Sequence, residues 1–524
     1  MNRFQYIILL SLTICTVASC SKFLDKPQEN TPDNSVTVDY SQTGNMYGPV
    51  SGVYYVVSNG GPGLTHWMDF GIRAIRGDEF VKGSSVTDQS QLTDILQFHN
   101  SYASIINFWG TNNSWVDYYG LVTDCNSALT ELDSFANYIP ASNAANLALN
   151  REYKGEVRFM RAFGHFLASR VFGDVPILTS TDPNILVSVE RSSVTNVRKF
   201  ILSEMDTCIA SLQDAAPNAA MHIGAVTKYT ALLLKAKVAA DLAGNDNGSP
   251  YWDTVATCTN QIISSNKFSL FSNFYELFKK PGKLCDESLF EIQFTDFGNS
   301  SGTVVLPGNF WDFQGPSGDQ KGSPIAGWGF MAPTQTIVDF LNSRNDSVRL
   351  KTTVLNCGNP AHAGDATFQN TYSVTPSGDT VYGNSNGIKY FNGKGYMPRS
   401  EMTPGRTNYG SNNNIRVLRY ADALLLNAEA LIRKGQNGDA PLNLVRARAK
   451  LNPITGATLQ NVLDERRAEF ACEWWGERYN DLLRTGQAAT VLASYGYVAG
   501  STDYLPTPQA QIYLDANLGK PVSN

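Results

Sequence analysis

Apolar positions recur at helical spacing over three separate stretches of this chain. The longest runs from about Ile105 to Leu242. Within it, Glu152 to Arg170 sets Val157, Met160, Phe163, Phe166 and Leu167 on one face, and Gly173-Asp174-Val175-Pro176 stops the run. Lys199 to Leu212 and Thr227 to Leu242 read as further helices. The second carries Ala231, Ala236, Ala239 and Ala240, small enough for close helix packing. The next stretch, Arg419 to Lys450, splits at Gly435 and Gly438 into two helices. Such a pair of short helices, small where they touch, is a tetratricopeptide-like unit. The last, Leu459 to Thr485, predicts another pair broken near Gly476.

The pattern changes between Tyr275 and Ile415. Ser288 to Phe294 alternates like a strand, and Pro333 to Leu341 reads as a short helix. Asn299 to Trp328 is rich in Gly, Ser, Asn and Pro, and Gly358 to Asn414 is mostly turn residues. Val50 to Phe80 has the same character, with Gly60-Gly61-Pro62-Gly63 beside His66 and Trp67. Long irregular segments within a compact protein are usually functional. The predicted fold is therefore dominated by α-helix: a tetratricopeptide-like helical-repeat scaffold at about 105–275 and 415–490. Long loop-rich insertions and a few short strands form two faces, at about 50–104 and 276–414.

The N-terminus adds an address. Arg3, the apolar run Tyr6 to Val17, and Ala18-Ser19-Cys20 form a leader too short to span a bilayer. Small-small-Cys is the pattern of a lipoprotein signal peptide, residues 1–19, whose cleavage leaves Cys20 to take a lipid. An ordinary secretory leader with a chance cysteine is the plainer alternative. The remaining chain, 20–524, reads as one unit anchored to a membrane through Cys20. Stable anchoring follows when more than one acyl chain is buried.

Composition narrows the partners. The net charge is −6 over 524 residues, with no basic stripe of the kind a phosphate backbone needs, so nucleic acid is not an expected partner. Charged residues make up only 17% of the chain and aromatic residues 11%, a balance that suits neutral ligands. Outside the leader and Cys20, the cysteines are Cys125, Cys208, Cys258, Cys285, Cys357 and Cys472. None sits at C-x-x-C spacing, which argues against a zinc knuckle or a redox pair. Export permits a disulfide, while isolated core thiols are the simpler expectation.

The order of several short motifs resembles the SusD/RagB family of outer-membrane lipoproteins. After the leader and Phe23-Leu24-Asp25 come Trp115-Val116-Asp117-Tyr118-Tyr119-Gly120 and a helix with Asn126. Glu156 to Phe163, Phe172 to Pro176, and Lys228-Tyr229-Thr230-Ala231 follow. The most specific blocks are Arg419-Tyr420-Ala421-Asp422 with Asn427-Ala428-Glu429-Ala430, then Val445 to Ala449, and Glu465-Arg466 with Glu469. Gly476-Glu477-Arg478, Asp481 to Arg484, and Tyr504-Leu505-Pro506-Thr507-Pro508 close the series. The resemblance implies no catalysis and no cofactor. It implies a lid on a SusC-like TonB-dependent transporter, facing the cell exterior and capturing glycans, or in some branches peptides, for import.

The charged motifs also invite an enzyme reading. Glu469 and Glu473 are four apart on a predicted helix, as a carboxylate pair for glycoside hydrolysis could be. Arg466, Arg467, Arg478 and Arg484 crowd them, and arginine keeps a carboxylate ionised rather than making it an acid. Helix–helix ion pairs are the expected role. Asp69, Asp78 and Glu79 read as loop caps. No HExxH, P-loop, G-x-S-x-G or Rossmann pattern occurs, and His165 reads as a core or interface residue, so neither a catalytic nor a metal site is assigned. Oxygen-ligated calcium outside an EF-hand leaves no spacing pattern to read.

An aromatic recognition surface remains. Sugars present C–H faces that stack on rings, while amides, carboxylates and guanidinium groups reach the hydroxyls. Trp67, Trp109, Trp311 and Trp328 lie in stretches read as loops, with Asp69, Arg73 and Asn112 as polar neighbours. These seven are the candidate ligand-binding residues. Structural packing competes with ligand contact at each tryptophan, because large aromatics are mostly buried. Trp115, Trp474 and Trp475 fall in predicted helices and read as core. A lipid-anchored polysaccharide-degrading enzyme, a tetratricopeptide scaffold that binds only proteins, and a peptide-binding relative are the competing readings.

Overall fold

The computed structural model describes residues 38–58, 64–186, 188–294, 310–316, 327–357, 372–383, 388–401 and 412–522. The leader and Cys20 lie outside the described residues. Helices dominate. They include α1 (Tyr47–Ser58), α2 (Trp67–Ala74), α3 (Trp109–Ala136), α4 (Ala144–Phe172), α5 (Val194–Ser211), α6 (Lys228–Ala243) and α7 (Tyr251–Ser264). After a long insertion come α11 (Tyr420–Arg433), α12 (Asp439–Arg448), α13 (Leu459–Phe470) and α14 (Glu477–Arg484). Helix α3 packs on α4, α4 on α5, α5 on α6, and α6 on α7. The array then skips the insertion: α7 packs directly on α11, which packs on α12 and α13. The tetratricopeptide-like scaffold is thus continuous in space and interrupted in sequence.

Local chemistry sets these elements. Thr227 caps α6 through a reciprocal bond with Thr230, whose hydroxyl accepts the Thr227 N–H at 3.0 Å. Ala231, Ala236, Ala239 and Ala240 of α6 are all buried, as close packing requires. Helix α4 departs from the one-faced helix the periodicity predicts. From Glu156 to Phe172 every residue but Arg158 is buried, so this half runs through the middle of the core. At Gly164 a Cβ would stand 2.9 Å from Val122 Cγ2 and 3.0 Å from the Tyr118 carbonyl, so only glycine lets α3 approach this closely. Helix α4 ends at Phe172, with Gly173 as its cap.

The insertion is held at its base. Strand β2 (Ser288–Ile292) pairs antiparallel with β8 (Ile415–Arg419), Ser288 opposite Arg419 and Ile292 opposite Ile415. The chain leaves and re-enters the scaffold at one point, and β8 runs straight into α11. Further ladders join β1 (Phe80–Gly83) to β3 (Phe330–Pro333), β4 (Val354–Asn356) to β7 (Tyr390–Asn392), and β5 (Tyr372–Val374) to β6 (Thr380–Tyr382). Short helices α8 (Phe310–Gln314), α9 (Gln335–Ser343) and α10 (Ser347–Thr353) lie within the insertion.

The charged C-terminal motifs form the joint between scaffold and insertion. Arg419, fully buried at the end of β8, reaches Glu287 at 2.6 Å, Glu469 at 2.9 Å and Glu473 at 2.6 Å. Arg448 meets Glu287 at 3.0 Å and also pairs with Glu469, while Lys394 meets Glu473 at 2.9 Å. A second set joins Arg466 to Asp422 at 2.6 Å and Asp481 at 2.8 Å, and Lys237 to Asp422 and Glu477. The ion-pair role is as expected, but the partners differ. Helix α13 ends at Phe470, so Glu473 is not on the same helix as Glu469. Arg467 and Arg478 hold Asp78, and Arg484 holds Glu429 and Asp481. Asp78 is a buried ion-pair partner rather than a loop cap, because α13 and α14 carry two arginines to it. Glu79 accepts the Cys472 N–H at 3.1 Å.

Within 50–104, where loops are expected, α1 and α2 are helical. The six cysteines are free thiols, five of them buried. His165 is fully buried. One ring nitrogen lies 2.8 Å from the Arg161 carbonyl, and the other accepts the Leu178 N–H at 3.1 Å. Burial lowers its pKa to about 4, so the ring is neutral. Among the described residues no helix is long and apolar enough to cross a membrane.

Candidate functional site

Helix α2 begins at Trp67 because His66 caps it. The His66 ring nitrogen Nδ1 accepts the Met68 N–H at 3.3 Å, and burial lowers the imidazole pKa, which keeps that lone pair free. Trp67 therefore opens a helix and is not a loop residue. Met68, Phe70 and Ile72 enter the core, while Trp67 stays half-buried. Trp109 likewise opens α3 rather than lying in a loop, and at 41% exposure it is the most open tryptophan of the four candidates.

Three of the four candidate tryptophans meet. The Trp67 ring lies 5.6 Å from Trp109 and 5.3 Å from Trp328, both edge-on. Phe313 of α8 stands 5.1 Å from Trp67 and stacks on Phe330 at 4.6 Å. His66 sits 5.3 Å from Trp67 and 6.1 Å from Trp109. Such edge-on pairs lock ring orientations and each add about 0.5–1.5 kcal/mol beyond the area they bury. Residues from three distant stretches thus form one aromatic face. The insertion supplies Trp328, whose backbone N–H donates to the Asp312 carbonyl at 2.7 Å.

The other candidates have different surroundings. Trp311 is 2% exposed and stands edge-on against Phe310 at 4.8 Å and Trp474 at 5.6 Å, inside the core. Its position on α8 turns it opposite to Phe313, which joins the aromatic face. Asp69 and Arg73 are buried, pair with each other one helical turn apart, and support α2 from behind. Tyr118 of α3 also donates to Asp69, and Arg73 lies 4.4 Å over the Trp475 ring. Burial raises the Asp69 pKa against the pull of Arg73. Asn112, half-buried on the first turns of α3, accepts from Gln511 at 2.9 Å, which ties the C-terminal segment beside Trp109. Trp115, Trp474 and Trp475 are buried as expected, but only Trp115 is in a helix: Trp474 and Trp475 lie in the turn between α13 and α14.

Sequence reading missed His66 as a cap, and Phe313 and Phe330 as members of the face. The signal was present in part, since Phe313 and Phe330 each lie two residues from a chosen tryptophan. Among the described residues, no three His, Cys, Asp or Glu side chains group as a metal site.

Comparison with known proteins now decides the family. The SusD family model matches residues 286–518. A second model, a SusD-like one described as starch-binding and associating with the outer membrane, matches residues 73–238. The chain belongs to the SusD/RagB family. This SusD/RagB protein is 24% identical to the SusD-like protein P38 of Formosa agariphila over 460 residues, covering 82% of the chain and 80% of that relative. It is 23% identical over 368 residues to the starch-binding protein SusD of Bacteroides thetaiotaomicron, covering 64% and 65% of the two chains. Among solved structures, a SusD homologue from B. thetaiotaomicron matches with a TM-score of 0.72 at 20% identity, over 93% of this chain and 99% of that one. Surface glycan-binding protein A of the same organism, solved with laminarihexaose, matches with a TM-score of 0.71 at 24% identity, over 91% and 98%. As a SusD/RagB member the protein is not an enzyme. The ion pairs around Glu469 agree: burial acts to raise its pKa, but Arg448, Arg419 and Arg349 outweigh it and hold the carboxyl well below the usual range.

Proposed function

We propose that this protein binds a neutral glycan on the face formed by Trp67, Trp109 and Trp328 and passes it to a SusC-like TonB-dependent transporter. The observation that carries this reading is the meeting of three tryptophans from distant segments, with Trp109 open to solvent. Aromatic surface with His66 beside it suits the C–H faces of sugar rings, and pockets for such ligands combine an apolar floor with a few polar groups. The names of its relatives, a starch-binding protein and glycan-binding proteins, support a carbohydrate rather than a peptide. Asp69, Arg73 and Trp311 act in this reading as supports behind the face. Asn112 orients the rim.

Location follows from the same reading. In this reading Cys20 carries the lipid and the protein faces the exterior; the description of the second family model supports association with the outer membrane. A glycan array on the purified protein tests the ligand. Binding of one glycan class, lost in Trp109→Ala, supports the proposal. Binding of no glycan, or the release of new reducing ends, overturns it. Recovery of a TonB-dependent transporter with the protein from native membranes in mild detergent tests the partner, and recovery of the lipoprotein alone counts against it.

A further inference from the structure

A second opening lies between α1 and the base of the insertion, built from residues outside the tryptophan face. It is a cavity of about 270 Å³, lined on one side by Tyr47, Ser51, Tyr54 and Tyr55 of α1 and on the other by Ile223 and Gln293. That is near the lower end of the roughly 300–1,000 Å³ typical of small-ligand sites. Tyr47 is held in place by His222, stacked at 3.6 Å with the rings within 14° of parallel. The Tyr54 hydroxyl accepts the Val226 N–H at 2.8 Å and donates to Glu156 Oε2 at 2.8 Å. These bonds fix the Tyr54 ring as a wall. Tyr55, 53% exposed, forms the rim.

The cleft offers little free charge: its one carboxylate, Glu291, is buried, faces Arg416 at 3.6 Å, and accepts from Asn414 at 2.8 Å and from the Leu284 N–H at 3.0 Å. Behind Tyr54, Glu156 is fully buried, and among the described residues no basic side chain stands within ion-pair distance of it. Its Oε1 has no hydrogen-bond partner. Burial lifts its pKa to about 8, so the carboxyl is protonated at neutral pH and adds no charge behind the wall. Beside the rings stand the Ser51 hydroxyl, which donates to the Gly48 carbonyl at 2.8 Å and keeps its lone pairs to accept, and the Gln293 amide, whose NH₂ reaches the Ile223 carbonyl at 3.4 Å and leaves its oxygen and second hydrogen for a ligand.

We propose that the cleft between α1 and β2 is a second sugar subsite that takes one neutral hexose unit, stacked against Tyr47 or Tyr55 and hydrogen-bonded by Ser51 and Gln293. The proposal rests on the reading of the protein as a glycan binder. A long glycan could then be held at two separate points. Anionic ligands are disfavoured, because no lysine or arginine lines the cleft, and its one carboxylate, Glu291, already faces Arg416 at 3.6 Å.

The test uses the full protein carrying 3-fluorotyrosine, titrated with D-glucose and, separately, D-galactose. Tyr47→Phe and Tyr55→Phe assign the two fluorine signals. Tryptophan fluorescence reads the other face in the same samples. The expected result is a saturable shift of the Tyr47 and Tyr55 signals with one hexose, unchanged in Trp109→Ala. Ser51→Trp, which fills the cleft from the exposed side of α1, should weaken it at least tenfold. Ile223→Arg, at a rim position 60% exposed, is the second block should Ser51→Trp fail to fold. The proposal is overturned if both signals stay still at about tenfold above the ~1 mM Kd of a weak site. It is equally overturned if they shift as before in a folded blocked variant. A tyrosine shift without a tryptophan response would support this cleft while removing the tryptophan face as a hexose site.

Discussion

The joint around Arg419 and the face around Trp67 are built on opposite principles. At the joint, buried charges are matched against each other: Arg419 alone serves Glu287, Glu469 and Glu473. At the face, half-buried rings meet edge-on, and Trp109 is left partly uncovered. Charges that are desolvated and satisfied have no capacity left for a ligand, and nearby arginine removes their use as acids. Rings that are only half covered keep apolar area to offer. The joint therefore fixes geometry. It clamps β8 at the point where the insertion returns to α11, so that Trp328 arrives beside Trp67 and Trp109. The difference teaches that the most conspicuous charged motifs of this chain serve architecture, while recognition falls to neutral side chains far from them.

The contrast is most directly broken at Arg419. Arg419→Met should remove the cation and leave three buried carboxylates short of a partner, at a cost of about 3–5 kcal/mol. Denaturant unfolding measures it. A variant as stable as the parent would show that Arg448 and Lys394 suffice and that the joint does not depend on Arg419. Trp311→Ala comes next. Its ring is enclosed by Phe310 and Trp474, so truncation leaves a cavity and should cost about 3–5 kcal/mol. If Trp311→Ala instead keeps its melting temperature and loses glycan, Trp311 belongs to the face and the division drawn here is wrong.

Acid should act on the joint and spare the face. Burial alone would raise the Asp481 pKa, but Arg466 and Arg484 outweigh it and hold it at about 2. A depressed carboxylate stabilises the fold fully above its unfolded pKa, near 3.8, and the contribution is lost as pH falls towards 2. Asp481 alone then accounts for about 2 kcal/mol, with Glu469 and Asp422 adding in the same direction. Melting temperature should fall steeply below pH about 4. In Asp481→Asn that slope should be shallower, and an unchanged slope would mean the joint is not the acid-sensitive element.

Trp109→Ala should have a smaller effect of a different kind. Stacking on one aromatic platform is worth about 1–3 kcal/mol per ring in related systems, so affinity for the bound glycan should drop tenfold or more. Stability should stay within about 1 kcal/mol, because the ring is already partly exposed. Calorimetry and a thermal melt on the same sample separate the two. Full affinity in a folded Trp109→Ala variant would remove Trp109 from the site.

Much of the scaffold was legible in the sequence. The α6 boundaries, the stop at Gly173 and the break at Gly476 follow from caps and glycines that act locally. Gly476 has φ +71°, and a Cβ there would stand 2.4 Å from the Arg73 carbonyl, a position that only glycine fits. What sequence could not show is which residues meet across long separations. Helical periodicity predicts one apolar face on α4, but burial on all sides follows from its central place between α3 and α5. Trp67 and Trp109 read as loop residues because polar and glycine-rich neighbours surround them. They are first residues of helices; His66 caps the one at Trp67, while Phe108 before Trp109 makes no side-chain cap. Nothing in the spacing of Trp311 and Trp328 could separate the core ring from the surface ring. That distinction is tertiary: α8 turns Trp311 inward against Trp474, while Trp328, beyond α8, meets Trp67 edge-on and stays half-buried.

The smallest expected effect lies at Asn112, and it sharpens where the face ends. Asn112 accepts from Gln511, so its side chain spends an acceptor on holding the C-terminal helix Gln509–Leu514 beside Trp109. If this tether is all it does, Asn112→Ala should cost about 1 kcal/mol of stability or less, the net worth of one part-exposed hydrogen bond. Gln511→Ala should then have the same effect, and the double variant should be no worse than either alone. If Asn112 also reaches the glycan, Asn112→Ala should weaken binding several-fold while Gln511→Ala leaves it nearly intact. The pair of single variants therefore decides between the roles by affinity rather than by stability. Equal losses of affinity in both would mean that the tether orients Trp109, making Asn112 a positioning residue at the edge of the aromatic face.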